Sequence, residues 1–176
     1  MRLIAYFFAA AVLLAGCGSE DPREPKGHST PSATPVATPP TMPAQARENT
    51  PAGAIAFVKH YIDVFNYASN TGDVADLQKL SDPECDGCNS YIRLYKGTYA
   101  AGGYYRDSDW KLSEFEVRTG NKHLLVLARL TAQGGTYKSA ANDHLHNGNP
   151  EDTRLAFLPR RGPDGWKLYT LERQAQ

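Results

Sequence analysis

Apolar and polar positions fall into four successive regimes along the chain. Leu3 to Ala15 is an unbroken apolar run (LIAYFFAAAVLLA), preceded by one positive charge at Arg2. Its ~13 residues are too few to cross about 30 Å of hydrocarbon as a helix. A basic start followed by a short apolar stretch fits the h-region of a secretory signal. Residues 18–50 change character. Pro22, Pro25, Pro31, Pro35, Pro39, Pro40 and Pro43 alternate with Ser, Thr and Ala, and Val36 and Met42 are the only large apolar residues. Such a stretch buries too little surface to offset its ordering entropy. Prolines bias it toward extended polyproline II at ~3.1 Å per residue, which predicts a disordered spacer reaching at most ~100 Å.

The third regime has helical spacing. Thr50-Pro51 supplies an N-cap residue followed by proline at the first helical position. Ala54, Val58, Tyr61, Phe65 and Ala68, joined by Phe57 and Ile62, recur on one face. Lys59, His60, Asp63 and Asn66 fall mainly on the other side, and Thr71-Gly72 predicts the stop. A second, shorter helix follows with Val74, Leu77 and Leu80 on one face. Ser81-Asp82-Pro83 restarts the chain, and a third helix is predicted from about residue 89 to 101, ended by Gly102-Gly103.

From Ser108 onward the period becomes two. Trp110, Leu112, Phe115 and Val117 alternate with one slip, which predicts a bulge. Gly120-Asn121 is a tight hairpin signal, and His123 to Thr131 is a strongly apolar strand. Gly134-Gly135 turns the chain into a third strand, Thr136 to Ala141. A polar loop from Asn142 to Glu151 precedes a last hairpin, Thr153 to Arg160 and Trp166 to Arg173, around Pro163-Asp164-Gly165. Helices first and strands second predict an α+β domain, with three N-terminal helices packed on a curved antiparallel sheet of about five strands.

Charge narrows the range of functions. Lys plus Arg and Asp plus Glu both number 19, so the formal net charge is zero. A dedicated nucleic-acid binder carries a strongly basic footprint, and this chain does not. No phosphate-cradling glycine loop, G-x-S-x-G elbow or H-E-x-x-H occurs, so no catalytic signature and no cofactor is predicted.

The apolar N-terminal run closes on Leu14-Ala15-Gly16-Cys17. This resembles the bacterial lipobox, in which small residues precede a cysteine that becomes lipidated. The resemblance implies a diacylglyceryl group with palmitate-type chains on Cys17 and cleavage between Gly16 and Cys17. It divides the chain into a signal peptide (1–16), a lipidated cysteine and Pro/Ser/Thr-rich tether (17–50), and a globular domain (51–176). It also implies a protein held by its lipid on the outer, extracytoplasmic face of the cell membrane, since two acyl chains give stable attachment.

A second resemblance covers the domain, from about residue 50 to 174. The segments AGAIAFVKHYIDVFNYASNTGD and LQKLSDPECDGC, with the Gly102-Gly103 break, are similar to an uncharacterised domain family of actinobacterial lipoproteins. The element order is similar to the cone-shaped α+β fold of nuclear-transport-factor-like (NTF2-like) and ketosteroid-isomerase-like domains. That fold often encloses a pocket between helices and sheet; the resemblance implies no particular activity.

Several residue groups could carry chemistry. With Cys17 lipidated, Cys85 and Cys88 are the remaining thiols, in an oxidising compartment where pairing is expected. A C-x-x-C bridge closes a short loop, so it would mainly pin the turn between the second and third helices. The alternative is thiol-disulfide exchange at a helix N-terminus, which lacks the usual preceding strand. His144-Leu145-His146 places two imidazoles on one side of an extended segment, with His123 or Asp143 as further donors. Without an identifiable third ligand, a solvated loop and no metal is predicted. His60 and Asp63, three apart on the first helix, are an acid/base pair only if a pocket receives them; a solvated helix face is the simpler expectation. Tyr91, Tyr95 and Tyr99 form an i, i+4, i+8 stripe, with Tyr104 and Tyr105 beyond the helix break. Tyrosine has an apolar body and a hydrogen-bonding tip, which suits a pocket lining, an interface or core packing. The reading that follows is a membrane-anchored, non-catalytic module binding a small apolar ligand or an envelope protein. A pocket enzyme using a buried carboxylate or histidine with tyrosine donors is the alternative, and a thiol or metal protein at Cys85/Cys88 a further one.

Overall fold

The computed structural model describes residues 37–120 and 123–174. The predicted signal sequence, Cys17 and Asn121 of the first hairpin lie outside the described residues.

Helix α1 spans Pro51–Thr71. The Thr50 side chain accepts a hydrogen bond from the Gly53 N–H at 2.9 Å, and Pro51 occupies the first turn, where no N–H is needed. Gly72 closes the helix in the left-handed region (φ 78°), its N–H donating to the Ala68 carbonyl. Helix α2 is a short segment, Ala75–Leu80. Helix α3 spans Asp86–Ala100, starting three residues earlier than predicted. The reason is local: the Cys85 sulfur caps it, accepting from the Cys88 N–H at 3.3 Å.

Among the described residues seven strands follow, in two antiparallel sheets: β1 (Tyr104–Arg106), β2 (Trp110–Thr119), β3 (Leu124–Ala132), β4 (Thr136–Lys138), β5 (His146–Asn147), β6 (Glu151–Gly162) and β7 (Gly165–Arg173). The main sheet has the order β2-β3-β6-β7, and the small one β1-β4-β5. This corrects the expectation of about five strands in one sheet. Strands of two or three residues show no period, so the sequence pattern hides β1 in a helix break and β5 in a polar loop. The strand predicted over 136–141 ends at Lys138 and belongs to the small sheet. The slip in β2 is a bulge between Ser113 and Glu116, with Glu114 at φ 51°.

The core lies between α1 and the main sheet. Phe57, Val58, Tyr61 and Phe65 of α1 are fully buried, as are Val126, Leu130, Phe157 and Leu168 of the sheet. β7 is an edge strand, and edges invite stray pairing. Here the chain between α2 and α3 covers it: Ser81 bridges to Leu168, and the Asp82 N–H donates to the Leu168 carbonyl at 2.8 Å. The first turn of α3 lies so close to β7 that a Cβ at Gly87 would run into the Leu171 carbonyl.

Ordered packing begins ahead of Thr50. Ala44–Arg47 form one turn of 3-10 helix, and Ala46 is fully buried against α1. The Trp166 indole donates to the Glu48 carbonyl at 3.0 Å, and Arg161 donates to the Arg47 carbonyl at 2.6 Å. Proline-rich composition has no period from which this turn could be read. The same turn, with α2, packs on α1, and His60 is buried rather than solvated. Among the described residues, no helix is long and apolar enough to cross a membrane.

Candidate functional site: a tyrosine-lined pocket

The small sheet, the start of β2 and α3 converge on a pocket of about 190 Å³. Helix α3 contributes Tyr91 and Tyr95, one turn apart on the same face; β1 contributes Tyr105, β4 Tyr137, and β2 Trp110. Glu151 and Asn149 also line it, as does Leu94, which is 47% exposed. Ring packing holds the aromatic walls. Tyr91 meets Trp110 edge-on at 5.3 Å, Tyr95 meets Tyr105 edge-on at 5.4 Å, and Tyr105 stacks on Tyr137 at 5.6 Å. Phe65 of α1 backs this wall, 5.3 Å from Tyr95 and 4.4 Å from Trp110. Asn66, one residue on, fixes Trp110 by both ends of its amide: it accepts from the Trp110 N–H and donates to the Trp110 carbonyl, each at 2.9 Å.

Burial pushes the Tyr95 phenol far above its ordinary range, and burial followed by the nearby Glu151 charge raises Tyr91 as well. Both phenols are therefore neutral hydroxyls. Glu151 is itself paired with Arg173 at 2.8 Å.

The sequence stripe is only partly a pocket wall. Tyr91, Tyr95 and Tyr105 line it; Tyr99 and Tyr104 do not. The Tyr99 hydroxyl donates to the Ser69 carbonyl at 2.7 Å and its ring packs on Gly72, while Tyr104 lies under the Arg106 guanidinium at 4.9 Å. Helical geometry accounts for Tyr99, since eight residues rotate a side chain about 80° from Tyr91. Tyr137 and Trp110 complete the wall, and sequence reasoning misses both. Tyr137 reaches it through the Tyr105↔Tyr137 register of the small sheet, which no local pattern announces.

Cys85 and Cys88 are joined by a disulfide, with their residues 0% and 1% exposed. Thiol-disulfide exchange needs an accessible sulfur, and these are closed off beneath β7, with the Cys88 sulfur 3.8 Å from the Leu168 carbonyl. The bridge clamps the turn into α3. His60 is buried on α1, and burial lowers its pKa, partly offset by Asp63 and Asp76; burial raises that of Asp63. Neither residue lines the tyrosine pocket. His123 is exposed just before β3, by a separate cleft of about 510 Å³ that also carries Arg160, Arg161 and Trp166. That cleft is larger, but it lacks the aromatic walls, and Arg161 already serves the Arg47 carbonyl.

His144 and His146 do find a third donor. Asp143 lies between them, 3.2 Å from His144 Nδ1 and 2.9 Å from His146 Nε2. Its carboxyl is held well below the usual carboxylate range, first by the Ser139 hydroxyl, then by the Ser139 N–H and His146.

The architecture is that of a small α+β domain in which helices pack on antiparallel sheets. It is shared with the intermembrane-space region of the chloroplast protein ARC6 (TM-score 0.51, 14% identity, 73% of this chain and 99% of that one). Other matching structures are a protein of the NTF2-like family from Streptomyces avermitilis (TM-score 0.43, 21% identity, 69% and 95% covered) and an NTF2-like protein with a cystatin-like fold from Novosphingobium aromaticivorans (TM-score 0.39, 15% identity, 69% and 85% covered). The model of a family of unknown function (DUF6318) matches residues 27–154, and the chain belongs to that family. No curated protein matches it.

Proposed function

We propose that this chain is a lipid-anchored protein of the bacterial cell envelope whose NTF2-like domain binds one small, largely apolar ring compound without transforming it. The observation that carries the binding role is the pocket walled by Tyr91, Tyr95, Tyr105, Trp110 and Tyr137. An apolar cavity of ~150 Å³ holds a benzene-sized molecule, so about 190 Å³ suits a ligand of one or two rings. Aromatic walls supply dispersion and stacking, and the hydroxyls with Asn149 and Glu151 orient any polar substituent. Among the described residues, the pocket's serines, Ser69 and Ser108, have no histidine beside them in its lining to act as a base. Its carboxylate is already paired with Arg173, and both features favour retention over turnover. The anchoring half of the reading rests on the apolar run and Leu14-Ala15-Gly16-Cys17.

Native mass spectrometry of the protein isolated from its own host's envelope fraction tests the binding role. Extra mass that leaves on denaturation, and that is absent from Tyr105→Ala, is the expected result. Bare wild-type protein in repeated preparations would overturn it. The anchoring role is read separately: Cys17→Ala should move the protein from the membrane fraction to the soluble one, and unchanged partition would sink that half.

A further inference from the structure

We propose that Asp143, His144 and His146 form a binding site for a divalent transition-metal ion of the zinc class. The sequence offers Asp143 or His123 as a further donor to the two histidines without fixing a third ligand. The fold turns Asp143 between them, so that one oxygen faces His144 Nδ1 at 3.2 Å and the other faces His146 Nε2 at 2.9 Å. The ligand atoms of all three residues lie within 4.8 Å of one another. A zinc ion about 2.0–2.2 Å from nitrogen and oxygen donors needs those donors about 3.0–3.6 Å apart. With the carboxylate binding through both oxygens, its two oxygen-to-nitrogen spacings come close to that requirement. The third closes by rotation of the exposed His144 ring, whose centroid is 3.9 Å from that of His146.

The site is braced from behind, as metal sites are. Asp143 accepts from the Ser139 hydroxyl and from the Ser139 N–H at 3.0 Å, which leaves its carboxylate pointing at the two rings. The His144 backbone N–H donates to the same carboxylate at 2.9 Å. His146 sits in β5, paired with Tyr137 across the small sheet, and its ring stacks on the Tyr137 ring at 4.8 Å and 14°. The loop between them is tied to the end of α3 by the Ala141 N–H, which donates to the Ala101 carbonyl at 2.9 Å. A solvated pair of histidines needs none of these supports.

The donor set selects the ion. Two imidazoles and one carboxylate suit Zn²⁺, Ni²⁺ and Cu²⁺; Ca²⁺ and Mg²⁺ prefer sets made wholly of oxygen. Three protein donors leave at least one coordination position to water or to an outside ligand. Tyr137 is shared: its ring belongs both to the aromatic chain of the pocket and to the stack on His146.

Isothermal titration with ZnCl₂ alone, in buffer free of chelators, tests it on the whole protein. One saturable site is expected. His144→Ala, whose side chain is 78% exposed in the wild type and has little packing to lose, should weaken it at least tenfold. The His144→Ala/His146→Gln double variant should abolish it, and His123→Ala should leave it unchanged. The thermal midpoint with Zn²⁺ against that with EDTA is a second readout: it should rise for the wild type and not for the double variant, while both melt alike in EDTA. No saturable heat from the wild type overturns the proposal. So does a double variant that folds normally and still binds Zn²⁺ as tightly.

Discussion

The four-stranded sheet meets α1 with Val126, Leu130, Phe157 and Leu168, all fully buried, whereas the three-stranded sheet offers Tyr105, Tyr137 and His146, none of them fully buried. Both are antiparallel, and their strands interleave along the chain. The difference is length. A strand of nine to twelve residues, as in β3, β6 and β7, presents a whole face to a helix and buries it. Strands of two or three residues cannot bury a face; they hold side chains at fixed separation at a partly open surface. The long sheet sustains the fold, and the short one positions groups that are free to meet something else.

Mutations can break or sharpen that contrast. The largest effect belongs to the long sheet. Phe157→Ala should cost about 3–5 kcal/mol, because a fully buried ring is deleted from a closed core, and urea unfolding will measure it. A loss below about 1 kcal/mol would mean the core is not where the contrast puts it.

The disulfide comes next. Opening it in the Cys85→Ala/Cys88→Ala variant removes a short loop closure worth about 2 kcal/mol and the sulfur cap of α3. Comparison of wild type with and without reductant, at equal denaturant, checks it. Equal midpoints would show that the clamp is idle.

Smaller still, Tyr105→Ala and Tyr137→Ala should each cost about 1–2 kcal/mol, yet both should abolish the ligand binding proposed for the pocket. A double-mutant cycle should give a coupling of about 0.5–1.5 kcal/mol for their stacked rings. Strict additivity would show that the two strands act independently.

The smallest effect is the pH dependence of His60. Burial holds its folded pKa below 6.5, near which the unfolded chain takes up a proton. Its contribution to stability is therefore fully present at pH 7 and above. It falls as the pH drops through about 6.5 toward the folded value, because only the unfolded state gains the proton. His60→Gln should flatten that slope below about pH 6.5 in chemical unfolding. Parallel slopes would assign the effect to other groups.

The contrast also explains what can be read from the chain. Helix α1 is legible because its signals are local: Thr50 and Pro51 start it, Gly72 ends it, and an apolar stripe fills it. The β2 bulge shows as a slip in alternation, and the last hairpin as turn residues between two runs. The small sheet leaves no such trace, since its pairings join Tyr105 to Tyr137 and Tyr137 to His146 across loops with no period of their own. For the same reason the tyrosine stripe is legible only up to its helix. Tyr91 and Tyr95 share a helix face, whereas the partners of that face are delivered by the small sheet and the start of β2. His60 reads as solvated in part because one of the segments packed on α1, Ala44–Arg47, has a composition that reads as spacer.

That turn also decides how the domain would respond to a pull. Tension arriving along the chain from before residue 44 does not load α1 first. It meets Ala46, seated in its socket, and the two carbonyls gripped by Arg161 and Trp166 at the tip of the β6–β7 hairpin. These fastenings lie on successive residues and give way in succession, in the manner of a peeled strip. The domain thus has a soft first yield of a few residues, a short slack that can be let out and rewound, before any force reaches the sheet itself.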